Sequence, residues 1–155
     1  NTEKVVRTSE IPVLVIKHKA KDFSLENVVF ASNFDLEAVN VFKKAKNLLN
    51  VLGAKMKLVY VNTPGDGFRS TPEMHNRILQ FLLEAKADEE YHIKDVDTYN
   101  AYNIEEGIFT YANEVKADAI FMPTHGRRGL AHFFSGSISE DLVNHSDLPV
   151  MTIKM

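Results

Sequence analysis

The chain of 155 residues has no cysteine. That excludes disulfides and thiolate metal sites, and it suits a reducing cytoplasm, the compartment expected here. Histidines stand at His18, His75, His92, His125, His132 and His145, none of them in a metal-ligand spacing. Basic excess is missing as well. Lys and Arg number 18 against 21 Asp and Glu, for a net charge of -3 and a pI near 6.1. That balance leaves no electrostatic footprint for nucleic acid. No apolar run approaches the roughly 20 residues that span a bilayer. Also absent are a Gly-x-Ser-x-Gly element, a P-loop lysine, and paired carboxylates at helical spacing beside a histidine. Glu89-Glu90 and Glu105-Glu106 read as solvated faces. The sequence therefore carries no dedicated catalytic machinery.

What is present is ordinary in bulk. Apolar residues make up 45% and charged residues 25%, as in soluble globular domains. The arrangement is less ordinary. The first seventeen residues, NTEKVVRTSEIPVLVIK, return in weakened form at Ile138 to Lys154, ISEDLVNHSDLPVMTIK. At constant spacing, without gaps, Glu3 meets Glu140, Val6 meets Val143 and Ser9 meets Ser146. Pro12-Val13 then meets Pro149-Val150, and Ile16-Lys17 meets Ile153-Lys154. The expected organisation is a piece of a longer protein with tandem copies of one domain. Residues 1–17 are the tail of a preceding copy, 18–26 a linker, and 27–155 a domain large enough to bury a core.

Hydrophobic periodicity assigns the elements. Ile11 to Ile16 reads as an edge strand beginning near a proline. Val28 to Ser32 reads as a buried strand. Leu36, Val39, Phe42, Ala45, Leu48, Leu49 and Leu52 recur at helical spacing, with Asp35 as a cap and Gly53 as the stop. Met56 to Val61 is a second strand and Asn62 to Ser70 a loop, whose Pro64 to Phe68 part is expected from its position to serve as a partial lid over the site. Thr71 caps a helix with apolar residues Met74, Ile78, Phe81, Leu82 and Ala85, and Pro72 opens it. Tyr91, Ile93 and Val96 suggest a third strand. Asn103 and Glu106 form a capping box for a helix through Ile104, Ile108, Tyr111, Ala112 and Val115. Ala119 to Met122 is a buried strand, Ser137 to His145 a short helix, and Leu148 to Ile153 the last strand. The expected fold is α/β: an open, parallel, five-stranded, Rossmann-like sheet with helices on both faces, plus an extra edge strand from residues 11–17. Ligands of such sheets sit outside the carboxyl ends of the strands, near a topological switch point.

One loop at those ends carries a chemical signal. Met122-Pro123-Thr124-His125-Gly126-Arg127-Arg128-Gly129 runs on to Gly136-Ser137 at a helix N-terminus. Glycines allow close backbone approach, and the free N–H groups of Gly136, Ser137 and Ile138 would point at an anion. Arg127 and Arg128 add positive charge. The same residues also fit a plain strand-to-helix loop with an ordinary serine cap. His125 fits loop fixing, and Phe133 and Phe134 fit packing beneath the loop or against a neighbour.

The spacing Gly126, nine residues, Gly136-Ser137 resembles the universal stress protein family. So do Ser32-Asn33-Phe34 after the first full strand, Val59-Tyr60-Val61 in the next, and Ser146-Asp147-Leu148-Pro149-Val150 at the end. The resemblance covers residues 25–155, and the tail at 1–17 resembles the same family ending. It implies binding of an adenine nucleotide, ATP with Mg²⁺ if a triphosphate is held, in a stress-response or signalling role. With no dedicated catalytic machinery in the sequence, at most slow hydrolysis of the bound nucleotide is expected. Ala31, Ser32, Asn33 and Val61 would flank adenine and ribose. Met122, Pro123 and Gly126 would line the ribose and phosphate side, and Gly136, Ser137 and Ile138 would bind phosphate.

Three residues depart from the family pattern. Pro123 stands where the family has a glycine, and it has no N–H. Asn33 replaces an aspartate. Asp35 replaces a small hydroxyl residue, and its carboxylate would repel phosphate unless a cation bridges them. These departures sustain an alternative: a dimerisation or protein-interaction domain with a degenerate site. Family members commonly pair through their final strands, so the resemblance implies that Pro12–Ile16 and Pro149–Ile153 meet antiparallel about a local two-fold axis, within one chain or between two.

Overall fold

The computed structural model describes residues 5, 8–17, 23–124 and 147–155. Among them, the apolar runs form six strands: β1 (Val13–Val15), β2 (Asn27–Ala31), β3 (Lys55–Asn62), β4 (Val96–Asn100), β5 (Ala119–Thr124) and β6 (Val150–Lys154). They make one sheet in the order β1-β6-β5-β2-β3-β4. Strands β2 to β6 run parallel and β1 is antiparallel to β6. The parallel five-stranded sheet with one extra edge strand is therefore as expected.

Three helices follow the periodic segments: α1 (Val39–Leu52), α2 (Thr71–Ala85) and α3 (Ile104–Glu114). Helices α1 and α2 cover one face, where Phe42, Leu49, Ile78 and Phe81 pack with Phe30, Leu58 and Phe121. Helix α3 covers the other, where Ile108, Tyr111 and Ala112 meet Val29, Val59, Ile120 and Met122. Strand β2 is apolar throughout its middle because both its faces are covered, and Val28, Val29 and Phe30 have no exposed surface. Each such side chain contributes about 1.5–3 kcal/mol by burial. Edge-to-face rings add specificity, with Phe34–Phe81 at 5.1 Å and Phe42–Phe81 at 5.4 Å between centroids.

Several local readings shift. The α1 pattern is preceded by a 3-10 turn at Leu36–Ala38. Leu36 and Leu52 are exposed at 57% and 51%, while Val41 is buried in their stead. Gly53 does end the helix, at φ 70°. Ser70, not Thr71, caps α2. Its N–H and hydroxyl both donate to the Glu73 carboxylate, at 2.8 and 2.6 Å, so the glutamate decides which of two adjacent hydroxyl residues is the cap. Asn103 caps α3 as expected, with the Glu106 N–H donating to Asn103 Oδ1 at 2.9 Å, while Glu106 accepts from the Asn103 side-chain amide at 3.4 Å. The third parallel strand starts only at Val96, because Tyr91 turns onto Phe42 of α1 and Ile93–Asp95 is a 3-10 turn. No helix among the described residues is long and apolar enough to cross a membrane.

The edge pairing carries symmetry. Val13 faces Thr152, Leu14 faces Met151, and Val15 faces Val150. In the sequence repeat Leu14 is the counterpart of Met151, Val13 of Val150, and Val15 of Thr152. Leu14 therefore pairs with its own counterpart, and the two flanking pairs exchange under the repeat. That is the register of two equivalent strands meeting about a local two-fold axis at Leu14 and Met151. A second contact joins them where Lys154 pairs with Glu10.

Candidate functional site

The order β6-β5-β2-β3 reverses direction of travel between β5 and β2, which makes that junction the switch point. The β2–β5 ladder ends at the pair Phe30 and Phe121, while β5 continues beside β6 to Thr124. A gap opens beyond, between the ends of β2 and β5. The Ile120 N–H bonds Pro149 across to β6 at 2.9 Å, and the Met155 N–H bonds the Thr124 carbonyl at 2.8 Å. Backbone groups alternate along a strand, so the Pro123 nitrogen points the other way, into the gap. There the ladder has already ended, and proline sits in a buried strand without losing a sheet hydrogen bond. The same geometry removes one donor from the gap.

On the other side of the gap the chain turns sharply. Phe34 is buried with φ 55°, a conformation that is rare and strained for a bulky residue. Its ring stacks on Tyr60 at 6.3 Å and holds the turn down. Ser32 is buried, its N–H donates to the Val59 carbonyl at 3.2 Å, and its Oγ accepts the Phe34 N–H at 3.0 Å. Asn33 is half-buried, and both ends of its amide are engaged. Nδ2 donates to Asp35 Oδ2, and Oδ1 accepts the Asp35 N–H at 3.2 Å.

Asp35 does not act as the expected side-chain cap. It occupies the N-cap position of the 3-10 turn without a capping hydrogen bond. Its other oxygen, Oδ1, pairs with Arg77 Nη1 of α2. The carboxylate at the rim therefore already has a cation beside it, the Arg77 guanidinium. Burial raises the Tyr60 phenol above its ordinary value, against the pull of Arg77 and Arg69 nearby.

Val61 is half-buried near the end of β3. A Cβ added to Gly107 of α3 would stand 2.5 Å from Val61 Cγ1, so the glycine lets α3 close tightly on this strand. Beside Val61, over the ends of β3 and β4, lies a cavity of about 660 Å³, a size that small ligands use. Phe68, Tyr99 and Tyr102 supply aromatic walls, and Asn100, Glu106 and Thr110 supply polar groups. Pro64 and Phe68 bring the 62–70 loop to this cavity. The loop is pinned because Asn62 Oδ1 accepts the Arg69 N–H at 3.0 Å, while Asn62 Nδ2 donates to the Arg69 carbonyl at 3.2 Å. Periodicity did not single out the cavity residues. The usable signal was the pair Phe68 and Tyr102, large rings in polar loops, which are 57% and 87% exposed.

The structure thus brings Ala31, Ser32, Asn33, Val61, Met122 and Pro123 to the carboxyl ends of adjacent strands. Met122 is 3% exposed and its side chain belongs to the α3-side core. Gly126, Gly136, Ser137 and Ile138 lie outside the described residues, as do His125, Arg127, Arg128, Phe133 and Phe134. Among the described residues no group of three His, Asp or Glu could hold a metal ion.

Known structures share this architecture. A universal stress protein from Archaeoglobus fulgidus matches 97% of the chain at 25% identity and a TM-score of 0.67. The chain spans about half of that protein, 52% of its length. A universal stress protein in complex with cAMP matches 84% of the chain and 98% of its own length, at 17% identity and a TM-score of 0.59. A second Archaeoglobus fulgidus protein, in complex with dAMP, matches 86% of the chain and 100% of its own length, at 18% identity and a TM-score of 0.52. Among curated proteins none matches in sequence. The model of the universal stress protein family matches residues 25–154, and the chain belongs to that family.

Proposed function

We propose that the domain binds an adenine nucleotide across the carboxyl-end rim, as a stress-response or signalling module without efficient turnover. The observation that carries this reading is the 660 Å³ cavity over the ends of β3 and β4, on the same rim as the open switch point. From the β3–β4 cavity to the β2–β5 gap is about two strand spacings, roughly 10 Å, the scale of a nucleoside monophosphate. The base enters the cavity, the sugar passes Ala31, Ser32 and Asn33, and the phosphates reach the gap beside Met122 and Pro123. Gly126, Gly136, Ser137 and Ile138 would complete the phosphate end. That the same fold carries cAMP in one structure and dAMP in another makes adenine nucleotides the ligands to try first. ATP with Mg²⁺ fits the rim on charge, since Arg77 already neutralises Asp35. The cation is not needed to shield that carboxylate.

The test is thermal melting of the full chain with ATP and Mg²⁺, AMP and adenosine. A ligand at 100 times its Kd stabilises by about 2.7 kcal/mol, worth roughly 5–10 °C at this size. An unchanged melting temperature at millimolar nucleotide overturns the proposal.

The β1–β6 register supports a second role, as an interaction domain. We infer that residues 1–17 are the closing segment of a preceding copy and that the two copies meet at this seam. The match of 97% of the chain to about half of a longer protein supports that organisation, whereas the two structures matched over 98–100% of their own length cover only 84–86% of this chain.

A further inference from the structure

The Asp35 carboxylate bridges two elements that are far apart in sequence. One oxygen takes Arg77 of α2 and the other takes the Asn33 amide. Asn33 in turn accepts the Asp35 backbone N–H. The amide orientation is therefore determined at both ends, because a carboxylate only accepts and an N–H only donates. Arg77 is held in place from below. Its helix neighbours Met74, Ile78 and Phe81 are buried in the core, and Phe34, between Asn33 and Asp35, packs edge-on against Phe81. The cluster sits at the end of β2, on the border of the switch-point gap.

We infer that Arg77 is a positioning residue that lets this rim accept an anionic ligand. It cancels the Asp35 charge beside the gap, and through Asp35 it holds the orientation in which the Asn33 amide meets a ligand. The inference rests on the nucleotide reading for its ligand and names the residue that sets the charge of the ligand taken.

The experiment compares the full chain with Arg77→Met, Asp35→Ser and the double variant. Calorimetry follows ATP with Mg²⁺, AMP and adenosine. Unmasking one like charge several ångströms from phosphate weakens ATP about tenfold in Arg77→Met, weakens AMP less, and changes adenosine by less than about twofold. Adding Asp35→Ser to Arg77→Met restores ATP binding, because the charge that repelled it is gone. Equal losses for ATP and adenosine would mark Arg77 as merely structural and overturn the inference, as would failure of the double variant to recover. A readout without nucleotide separates this from the broader proposal. In ¹⁵N-resolved spectra, the Asn33 side-chain NH₂ pair shifts in both Arg77→Met and Asp35→Ser relative to the parent chain. Unchanged Asn33 signals in Arg77→Met overturn the positioning role whatever the ligands do. Binding of none of the three ligands by the parent chain overturns the nucleotide reading, and the charge rule with it, and leaves the spectra to decide the positioning role alone.

Discussion

Gly107→Ala sets two rules against each other at the edge of the site. Helix propensity says that alanine in place of an interior helical glycine stabilises by about 1 kcal/mol. The packing says otherwise. The new Cβ would stand 2.5 Å from Val61 Cγ1, 3.2 Å from Cγ2 and 3.0 Å from Ala101 Cβ. Neither neighbour is the far end of a flexible chain. Valine is stiff at χ1, and the Ala101 Cβ moves only with its backbone, whose N–H is tied to the Asn62 carbonyl at 3.1 Å. Overpacking of this kind costs about 1–3 kcal/mol beyond any propensity gain. The expected outcome is a net loss of about 1–2 kcal/mol, read as a lower urea midpoint at unchanged m value. Val61→Ala should cost about 1 kcal/mol by itself, since the side chain is only half-buried. In the double variant the closest clash is gone and the propensity gain remains, so the cycle should show a coupling near 2 kcal/mol. A Gly107→Ala protein more stable than the parent, or a coupling below about 0.5 kcal/mol, would refute the claim that this glycine exists to seat α3 on β3. The same displacement of Val61 should weaken nucleotide binding, and calorimetry on Gly107→Ala checks it.

Two further predictions concern other parts of the fold. Burial, with Glu90 alongside, pushes the Tyr91 phenol up to about 12, from an unfolded value near 10. The unfolded chain thus loses this proton first, and the stability it represents is intact below pH 10 and is lost as pH rises through 12. The fall in urea midpoint between pH 10 and 12 should be shallower in Tyr91→Phe, and identical slopes would refute the assignment. At the seam, the absence of native cysteine gives a clean background for cross-linking. Leu14→Cys with Met151→Cys should close a disulfide on oxidation, because directly opposed residues of an antiparallel pair lie within bridging range, whereas Leu14→Cys with Val150→Cys should not. A bridge within one chain supports the described register. A bridge between chains would mean that the strand is exchanged, and none at all would refute the pairing.

How much of this was legible in the sequence depends on the range of the interaction. Val28 to Ser32, the α1 stripe and the Asn103 cap were readable because periodicity and capping act over a few residues. Tyr91 and Ile93 were misread as strand because what places Tyr91 is a ring contact with Phe42, 49 positions earlier in the chain. The cavity was illegible because its walls come from two strand ends, two loops and the Glu106 and Thr110 positions of α3, which only the fold brings together. Gly107 carries no local signal of its role, and only its distance to Val61 explains it.

The three departures from the family pattern show the same limit most sharply. Judged singly, Pro123, Asn33 and Asp35 each look like damage to a nucleotide site. In three dimensions two of them compensate each other. Asp35 brings a carboxylate to the rim, and Asn33 offers it an N–H donor where the family's aspartate would present a second carboxylate. Restoring aspartate at position 33 alone would set two negative charges side by side, with one arginine between them and the ligand's own charge to follow. The family residue is thus a liability unless Asp35 changes too. Arg77 completes the exchange from a helix 42 positions away. Pro123 is accommodated differently. Its missing N–H falls where no strand pairs with it, so the fold loses nothing and only the ligand side loses a donor. A degenerate motif and a re-balanced one look alike in a single sequence, and the hydrogen-bond partners of Asp35 are what the proposed re-balanced reading rests on.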